Sequence, residues 1–530
     1  MGDSKPHPSE LLEFATPAFA NDVHLELITT PTAADGHGAP GTPAEGNNDG
    51  TQSSDDLFSA LSHAVPGLSH LATEAKSAAQ TEHRMSFMEG LKLYPKAIGW
   101  SILFSLTIVM EAYDTALVNS FYAFPEFRRS YGRPTGNESF EIPTAWQSGL
   151  INGARSAEIL GLLGQGYLAD GFGYRKTMMV SLAAMSLFIF LAFFAVNIGM
   201  LLASQVLCGL SWGVFQTLST TYAAEVVPVA LRAYLTSTVN LCWLIGQLIS
   251  VGVVRAFINN TSEWSYRIPF GLQWMWAIPI LIGVAFAPES PWWLIRHDRP
   301  GDAKKSLLRL TRRAVDFNAH ETVSMMKHTN QVEKYHNGGT SYWDCFKGTD
   351  LRRTEIAAAV WITQAWSGSA LTGYAAYFYV QAGLTPERAF DLSTGMYGLA
   401  ILGGIMAMFI MRVVGRRTLY IWGLSGCFIT LLVTGGVSTR PESPAVSWTL
   451  GSLVLLLTFI YDITIGPVCF ALVAEIPSTR LRVKTVVLAR VAYNIVSIIS
   501  NVLMPKMLNP TAWDWGVRRL FCGREPVLSA

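Results

Sequence analysis

The feature that most constrains the fold is a series of apolar stretches, each long enough to cross a lipid bilayer. About 20 consecutive apolar residues are needed to span the roughly 30 Å of bilayer hydrocarbon. From residue 97 onward the sequence repeats this pattern, with hydrophilic connections between the stretches. Only 15% of the 530 residues are charged, whereas soluble domains carry about 25%. The sequence therefore predicts an all-α polytopic membrane protein.

Eleven stretches are predicted to be spans, six before and five after a hydrophilic segment. The first six cover 97–121, 144–168, 177–197, 200–224, 236–258 and 268–287, and the last five cover 354–380, 390–411, 419–438, 447–473 and 486–505. The chain is thus divided into a tail over 1–92, a first half over 93–288, a central loop over 289–353, a second half over 354–506 and an atypical end over 507–530. The tail is rich in Ala, Ser, Pro and Gly and is expected to be disordered. Short amphipathic helices are expected in the central loop.

The distribution of Lys and Arg predicts the orientation. Cytoplasmic loops carry an excess of these residues, and the central loop is the richest in them. This places the N-terminus in the cytoplasm. Three Asn-x-Ser/Thr sequons, at Asn137, Asn259 and Asn260, then fall in external loops, as glycosylation sites would.

Composition also excludes several classes of protein. The net charge of +1 is too small for a general nucleic-acid binder, which needs a basic surplus. Six cysteines without a Cys-x-x-Cys pair exclude a disulfide scaffold and a zinc finger. No two histidines stand at metal-binding spacing on a span. The sequence therefore predicts no metal site and no cofactor.

An internal repeat gives the architecture. The loop after the second span contains Asp170 and Gly173-Tyr-Arg175-Lys, and the loop after the eighth ends in Gly415-Arg416-Arg. The loop after the fourth span contains Glu225-Val-Val-Pro-Val-Ala-Leu-Arg232, and the loop after the tenth contains Glu475-Ile-Pro-Ser-Thr-Arg-Leu-Arg482. Both motifs recur six spans later, which indicates a duplicated six-helix unit. Two such halves suit a transporter that rocks about a central site.

These loops, together with residues 288–294 (PESPWWL), resemble the sugar porters of the major facilitator superfamily. Residues 111–117 (EAYDTAL), 121–125 (FYAFP), 246–248 (GQL) and 479–490 are similar to fungal maltose/α-glucoside permeases. The resemblance covers residues 88–516. It implies a major facilitator fold and a non-enzymatic, monomeric carrier of the plasma membrane. Its partners would be a small neutral sugar, a proton and the bilayer.

The end of the sequence departs from that family. Family members continue into a twelfth helix, whereas residues 517–530 are short and polar. The resemblance therefore implies a truncation before the twelfth span. A non-transporting sugar sensor, a carrier of another metabolite and an inactive truncated product are the alternatives to maltose-like α-glucoside:proton symport.

Charged residues inside the spans are the candidates for proton coupling, because each costs about 2.5–3.5 kcal/mol on insertion scales. Glu111 and Asp114 share one face of the first span and could exchange a proton, or could reach water at its surface. Glu158 could pair with Arg155 nearby, or with Arg490 as the resemblance favours. Arg490 could instead lie at the cytoplasmic edge. Many proton-coupled sugar porters carry an arginine where this sequence has Gln205.

A neutral sugar is bound by amides, hydroxyls and aromatic faces. The resemblance assigns this role to Gln247, Gln364, Tyr374, Tyr377, Phe470 and Asn494. Gly368 and Gly373 would let the seventh span bend around the sugar. Ala365 and Ala370 replace a glutamine and an asparagine of the family.

Charges on the cytoplasmic loops are expected to hold the inner gate closed as ion-pair networks. Asp170 is expected near Arg175, and Glu225 and Glu475 near Arg232 and Arg482. The candidate gate residues are Asp170, Arg175, Glu225, Arg232, Arg416, Glu475 and Arg482.

Overall fold

The computed structural model describes residues 85–134, 140–312, 317–336, 341–381, 384–411, 413–438, 443–478 and 481–508. Almost all of this part of the chain is helical, apart from a two-stranded hairpin. The predicted tail over residues 1–84, the sequon at Asn137 and the segment 509–530 lie outside the described residues.

The described residues of the first half form nine helices and the hairpin. In chain order they are α1 (Phe87–Leu93), α2 (Pro95–Phe121), α3 (Pro125–Tyr131), β1 (Arg133–Pro134), β2 (Phe140–Glu141), α4 (Thr144–Phe172), α5 (Tyr174–Phe193), α6 (Ile198–Val226), α7 (Val229–Phe257), α8 (Trp264–Gly271) and α9 (Trp274–Phe286). Helix α2 begins with Pro95 in its first turn, where proline is favoured because its missing N–H would have no helical partner. Asn197 caps α6 by accepting a hydrogen bond from Met200 N.

The central segment and the second half follow. They contain α10 (Pro291–Arg296), α11 (Pro300–Leu310), α12 (Ala319–His336), a 3₁₀ turn (Tyr342–Phe346), α13 (Gly348–Gln364), a π turn (Ala365–Ser369), α14 (Ala370–Gly373), α15 (Ala375–Gln381), α16 (Pro386–Ile410), α17 (Arg416–Ser438), α18 (Pro444–Ile463), α19 (Ile465–Glu475) and α20 (Arg482–Leu508). Helices occupy the places of all eleven predicted spans.

Nine stretches of the described chain are long and apolar enough to cross a membrane. The count of eleven is therefore not confirmed by this measure. The two that do not qualify are the second span, α4, and the seventh, α13–α15. Helix α4 contains the polar residues Gln147, Asn152, Arg155 and Glu158, which lower its hydropathy. The seventh span is not one continuous helix.

The seventh and tenth spans are interrupted. In the seventh, Gly368 has φ +104°, a left-handed conformation that glycine adopts without steric cost, and α14 ends at Gly373. The predicted bend of this span at its glycines is thus present. In the tenth, Thr464 has φ −128° and ψ −81° and separates α18 from α19.

The two halves pack against each other through a few helices. The second span α4 packs on α20, and the fifth span α7 packs on α16 and α19. Every side chain that faces this boundary moves relative to its partners if the halves rock. The boundary is therefore where a transport site is expected.

One sequence boundary needs correction. Residues 87–92 were expected in the disordered tail, but Phe87–Leu93 is helical. Ser86 and Glu89 form a reciprocal capping box at its start, and the Phe87 ring packs edge-on against Tyr234 at 4.7 Å between centroids. This local capping and burial order the segment.

Candidate functional site

Glu111 is a buried carboxyl group in the middle of the first span, α2. Gln216 on α6 donates a hydrogen bond to its Oε1, and no described residue donates one to Oε2. The charges of Arg155, Glu158 and Arg490 lie close enough to act on it. Its burial excludes the alternative in which this side chain reaches water at the surface of the protein.

Asp114 lies one turn further along α2 and is also buried. Gln273 donates from Nε2 to Oδ1 at 2.9 Å, and Gln205 donates from Nε2 to Oδ2 at 3.4 Å. Gln205, which stands where an arginine is common, therefore contacts the aspartate as an uncharged donor. Glu111 and Asp114 share a helix but have separate partners.

Glu158 on α4 lies between two arginines. Arg155 Nη1 is 2.6 Å from its Oε2, and Arg490 Nε is 3.9 Å from its Oε1. Both arrangements considered from the sequence are therefore present together. Arg490 is buried, not at an exposed edge, and because it belongs to α20 the pair joins the two halves. Its guanidinium also lies over the rings of Tyr493 and Trp361, 4.1 and 4.5 Å from their centroids.

A small cavity adjoins these charges. Its volume is about 10 Å³, space for roughly one water molecule. It is lined by Gln216, Thr217, Thr220, Trp361, Phe470, Val473, Val486 and Arg490. Phe470 packs edge-on against Trp361 at 4.9 Å between centroids. A disaccharide does not fit this volume, so the helices that form it must separate for one to enter.

The other candidate sugar ligands do not line this cavity. Gln364 and Asn494 are buried, and neither amide atom of Asn494 has a hydrogen-bond partner within the part of the chain that the structure describes. The buried Tyr374 hydroxyl also lacks a partner among the described residues, and its ring stacks with that of Tyr122 at 6.4 Å between centroids. Gln247 on α7 is half-buried. Buried polar atoms without partners are uncommon, and a bound sugar hydroxyl would satisfy them.

Tyr377 is engaged elsewhere. Its hydroxyl donates to Glu141 Oε1 at 3.2 Å, and the other oxygen of Glu141 is paired with Arg128 at 2.5 Å. Glu141 lies in β2, between the first two spans, so the contact joins the two halves on the side away from the central segment. Burial raises the pKa of Glu141, although Arg128 opposes this shift. Asp391 and Arg255 form a second link on that side, at 2.7 Å.

The gate residues on the side of the central segment form two networks. Glu225 accepts from Arg296 and from the Tyr174 hydroxyl, both at 2.9 Å, and from Ser290 Oγ at 2.5 Å. Its ion-pair partner is thus Arg296 in the central segment rather than Arg232, which corrects the expectation. Glu475 pairs with Arg416 at 2.9 Å, and the charges of Arg232 and Arg482 lie near it.

Asp170 also differs from the expectation. Its carboxylate pairs with Lys484 of the second half, and not with Arg175. Arg175 instead donates its backbone N–H to Glu289, as Tyr174 does at 2.9 Å. Glu289 therefore caps the start of α5, although its burial raises the pKa of the carboxyl group. Polar contacts therefore link the two halves on both sides of the boundary, through Asp170 and Lys484 on one side and Glu141 and Tyr377 on the other.

Several of these residues were missed from the sequence. Gln216, Gln273 and Lys484 reach the predicted carboxylates from other helices, and no local pattern marks such contacts. Asp462 is different, because it is a carboxylate inside the predicted tenth span. It is buried and accepts a hydrogen bond from Asn240, and its charge alone was the signal to single it out.

Comparison with known proteins identifies the family. The profile of the sugar (and other) transporter family matches residues 100–521. This chain belongs to the sugar transporter family. Its fold is the major facilitator fold. The chain resembles the structure of the proton:xylose symporter XylE bound to 6-bromo-6-deoxy-D-glucose, with a TM-score of 0.68 and 20% sequence identity. The match covers 79% of this chain and 90% of that one. Inward-open XylE from E. coli gives a TM-score of 0.62.

Curated relatives of the transporter include yeast permeases. The general alpha-glucoside permease of Saccharomyces cerevisiae is 40% identical over 451 residues, 84% of this chain and 73% of that protein. The maltose permease MAL31 of the same species is 40% identical over 456 residues, 84% and 74% of the two chains. The resemblance to this group is therefore confirmed. These proteins are transporters, so the prediction that the chain is not an enzyme is confirmed as well.

Proposed function

We propose that this transporter takes up maltose-like α-glucosides together with protons across the plasma membrane of a fungal cell. The observation that carries the proposal is the 40% identity, over 84% of the chain, to a yeast protein named for α-glucoside transport. The chain acts as a monomer. Its N-terminus and central segment face the cytoplasm, and the exposed Asn259 and Asn260 are external glycosylation sites, as is Asn137.

Proton coupling is assigned to Glu111, Asp114, Glu158 and Arg490. Glu111 and Glu158 form a cluster with Arg155 and Arg490. The charges of the four groups cancel when all of them are ionised. A proton taken up by Glu111 leaves this cluster with a net positive charge and removes the attraction between Glu111 in the first half and Arg490 in the second. Among the residues of known placement, Asp114 has only amide partners, so a proton neutralises it without breaking an ion pair there.

Sugar binding is assigned to Gln247, Gln364, Tyr374, Tyr377, Phe470 and Asn494. The unpartnered amide of Asn494 and hydroxyl of Tyr374 support this assignment, because hydroxyl groups of a sugar can pair with both. Phe470 supplies an apolar face at the cavity, against which the C–H side of a pyranose can lie. Entry of the sugar requires the links on one side of the boundary to open.

Uptake by yeast cells that lack their own maltose carriers tests the proposal. We expect surface-located protein to import maltose or a related α-glucoside and to make a weakly buffered medium more alkaline. The Asn494→Ala variant should raise the KM for the sugar, whereas Asn318→Ala, a matched change at an exposed residue of the central segment, should not.

Other outcomes would point to the alternatives. Uptake of a different metabolite would replace the substrate. Correctly located protein without uptake, but with a sugar-dependent signal in the cell, would indicate a sensor. Correctly located protein with neither would indicate an inactive product.

A further inference from the structure

The fifth and tenth spans meet at a polar contact that the proposed function does not use. Asp462, in the last turn of α18, is 1% exposed. Its Oδ1 accepts a hydrogen bond from Asn240 Nδ2 on α7 at 3.4 Å. Helix α7 belongs to the first half and α18 to the second. The contact therefore crosses the same boundary as the Glu158–Arg490 pair, but between a different pair of helices.

The two helices are in close contact here. Ser237 Oγ, one turn before Asn240, donates to the Pro467 carbonyl at 3.1 Å. A methyl group in place of the Gly466 hydrogen would lie 3.1 Å from Asn240 Nδ2 and 3.2 Å from Asp462 Oδ1. Little space remains at this seam, so water enters it only if the helices separate.

The tenth span is interrupted next to this carboxyl group. Helix α18 ends at Ile463, and α19 begins two residues later, after the non-helical Thr464. Pro467 then lacks the N–H that a continuous helix would use. A helix that is already broken at this point can change its angle there with little loss of hydrogen bonding. The seam can therefore open beside Asp462.

No cation faces Asp462 among the residues that the structure describes. The titratable groups around it are the Tyr397 hydroxyl from α16, the Cys427 thiol from α17 and the Tyr461 hydroxyl from its own helix, all uncharged. Its hydrogen-bond partner from α7 is an amide. An ionised carboxylate buried without a cation is unfavourable by several kcal/mol, whereas a neutral carboxylic acid is tolerated with one amide partner.

We propose that Asp462 is a proton-binding site that stabilises the closed seam between the fifth and tenth spans. In the closed seam its carboxyl group carries the proton and pairs with Asn240. When the seam opens to water, the O–H bond breaks, the proton passes to water and the carboxylate is left hydrated. Proton binding and seam closure therefore favour each other. The role in a transport cycle rests on the proposed function, but the proton-binding site itself does not.

Infrared difference spectroscopy of the full chain in lipid nanodiscs tests the site directly. A pH change should reveal an absorption of a protonated carboxylic acid that is lost in Asp462→Asn and kept in Glu355→Gln, the same carboxyl-to-amide change at an exposed position. Asn240→Ala, which leaves the carboxyl group in place, should shift that absorption. An identical spectrum for wild-type and Asp462→Asn protein would overturn the proposal.

Transport kinetics supply a second readout. Asp462→Asn mimics the protonated form, so uptake should persist while its dependence on pH becomes at least threefold shallower than in the wild type. Asp462→Ala should lose both the pairing and the proton, and slow uptake about tenfold or more. An unchanged pH profile in Asp462→Asn would also contradict the proposal. If the wild-type protein transports no sugar, the proposed function fails, and the infrared result still decides the site.

Discussion

Glu158 on the second span faces Arg490 on the eleventh, with Oε1 and Nε 3.9 Å apart, and this ion pair crosses the boundary between the two halves. Arg155 holds the other oxygen of the same carboxylate at 2.6 Å. Glu158 therefore keeps Arg155, which lies on the same helix, when the halves move apart. It loses Arg490, which belongs to the other half. This is the arrangement that a proton-sensitive link between the halves requires.

The energetic dependence of these two residues on each other is the first prediction. Glu158→Gln should destabilise the protein by about 3–5 kcal/mol, because it removes the carboxylate that pairs with two buried arginines. Arg490→Gln should cost less, because Arg155 still pairs with Glu158. The double variant should be markedly less destabilised than the sum of the two single variants. Thermal unfolding of the purified protein measures this. Strictly additive effects would mean that the two groups do not interact.

A second prediction concerns Asp114. Replacement by Asn keeps the size of the side chain and its position beside Gln205 and Gln273. It removes the carboxyl group that can bind a proton. Accumulation of sugar against its gradient should fall at least tenfold, while exchange of internal for external sugar continues. Glu263→Gln, at an exposed carboxylate, is the control. Full accumulation by Asp114→Asn would remove this residue from the coupling mechanism.

The ion pair between Asp170 and Lys484 gives a third prediction, for the gate on the side of the central segment. The Asp170 side chain is 41% exposed, so the pair contributes at most about 1 kcal/mol. Lys484→Gln should therefore increase opening of this side by up to roughly fivefold. Lys484→Asp adds repulsion from Asp170 and should increase opening further, and Asp170→Lys combined with it should restore closure. Labelling of a cysteine placed at Val486, which lines the cavity, measures opening. Failure of the charge exchange to restore slow labelling would exclude a role for this pair.

The fourth prediction is a pH effect at Glu141, on the side away from the central segment. In the closed conformation burial raises the pKa of this carboxyl group above its ordinary value of 4.5. Protonation therefore favours closure. The contribution is fully present below about pH 4.5 and is lost as the pH rises through the raised pKa of the closed conformation. Opening of this side, followed with a fluorescent label, should increase over that interval in the wild type and stay constant in Glu141→Gln. The same pH response in both proteins would rule the carboxyl group out.

Part of this site was predictable from the sequence because a charge inside an apolar stretch stands out locally. Glu111, Asp114, Glu158 and Arg490 are recognised in this way, and the structure buries all four. The break at Gly368 was also predictable, because glycine tolerates the positive φ found there.

The partners were not predictable. Several opposite charges are available to each carboxylate, and the packing of the helices decides which one it contacts. Glu225 lies closer in sequence to Arg232, but the fold of the central segment brings Arg296 to its carboxylate. Asp170 is five residues from Arg175 and pairs with Lys484 from the other half. Sequence separation carries no information about such contacts between helices.

The measurement that tests the account most directly is maltose uptake into liposomes that contain the purified protein, with an imposed inward proton gradient. We expect internal maltose to rise transiently well above the external concentration, and a protonophore to abolish this accumulation. An inward sugar gradient should in turn drive protons inward, which a pH indicator inside the liposomes would record. Maltose that only equilibrates, at a rate and to a level independent of the proton gradient, would contradict proton-coupled uptake.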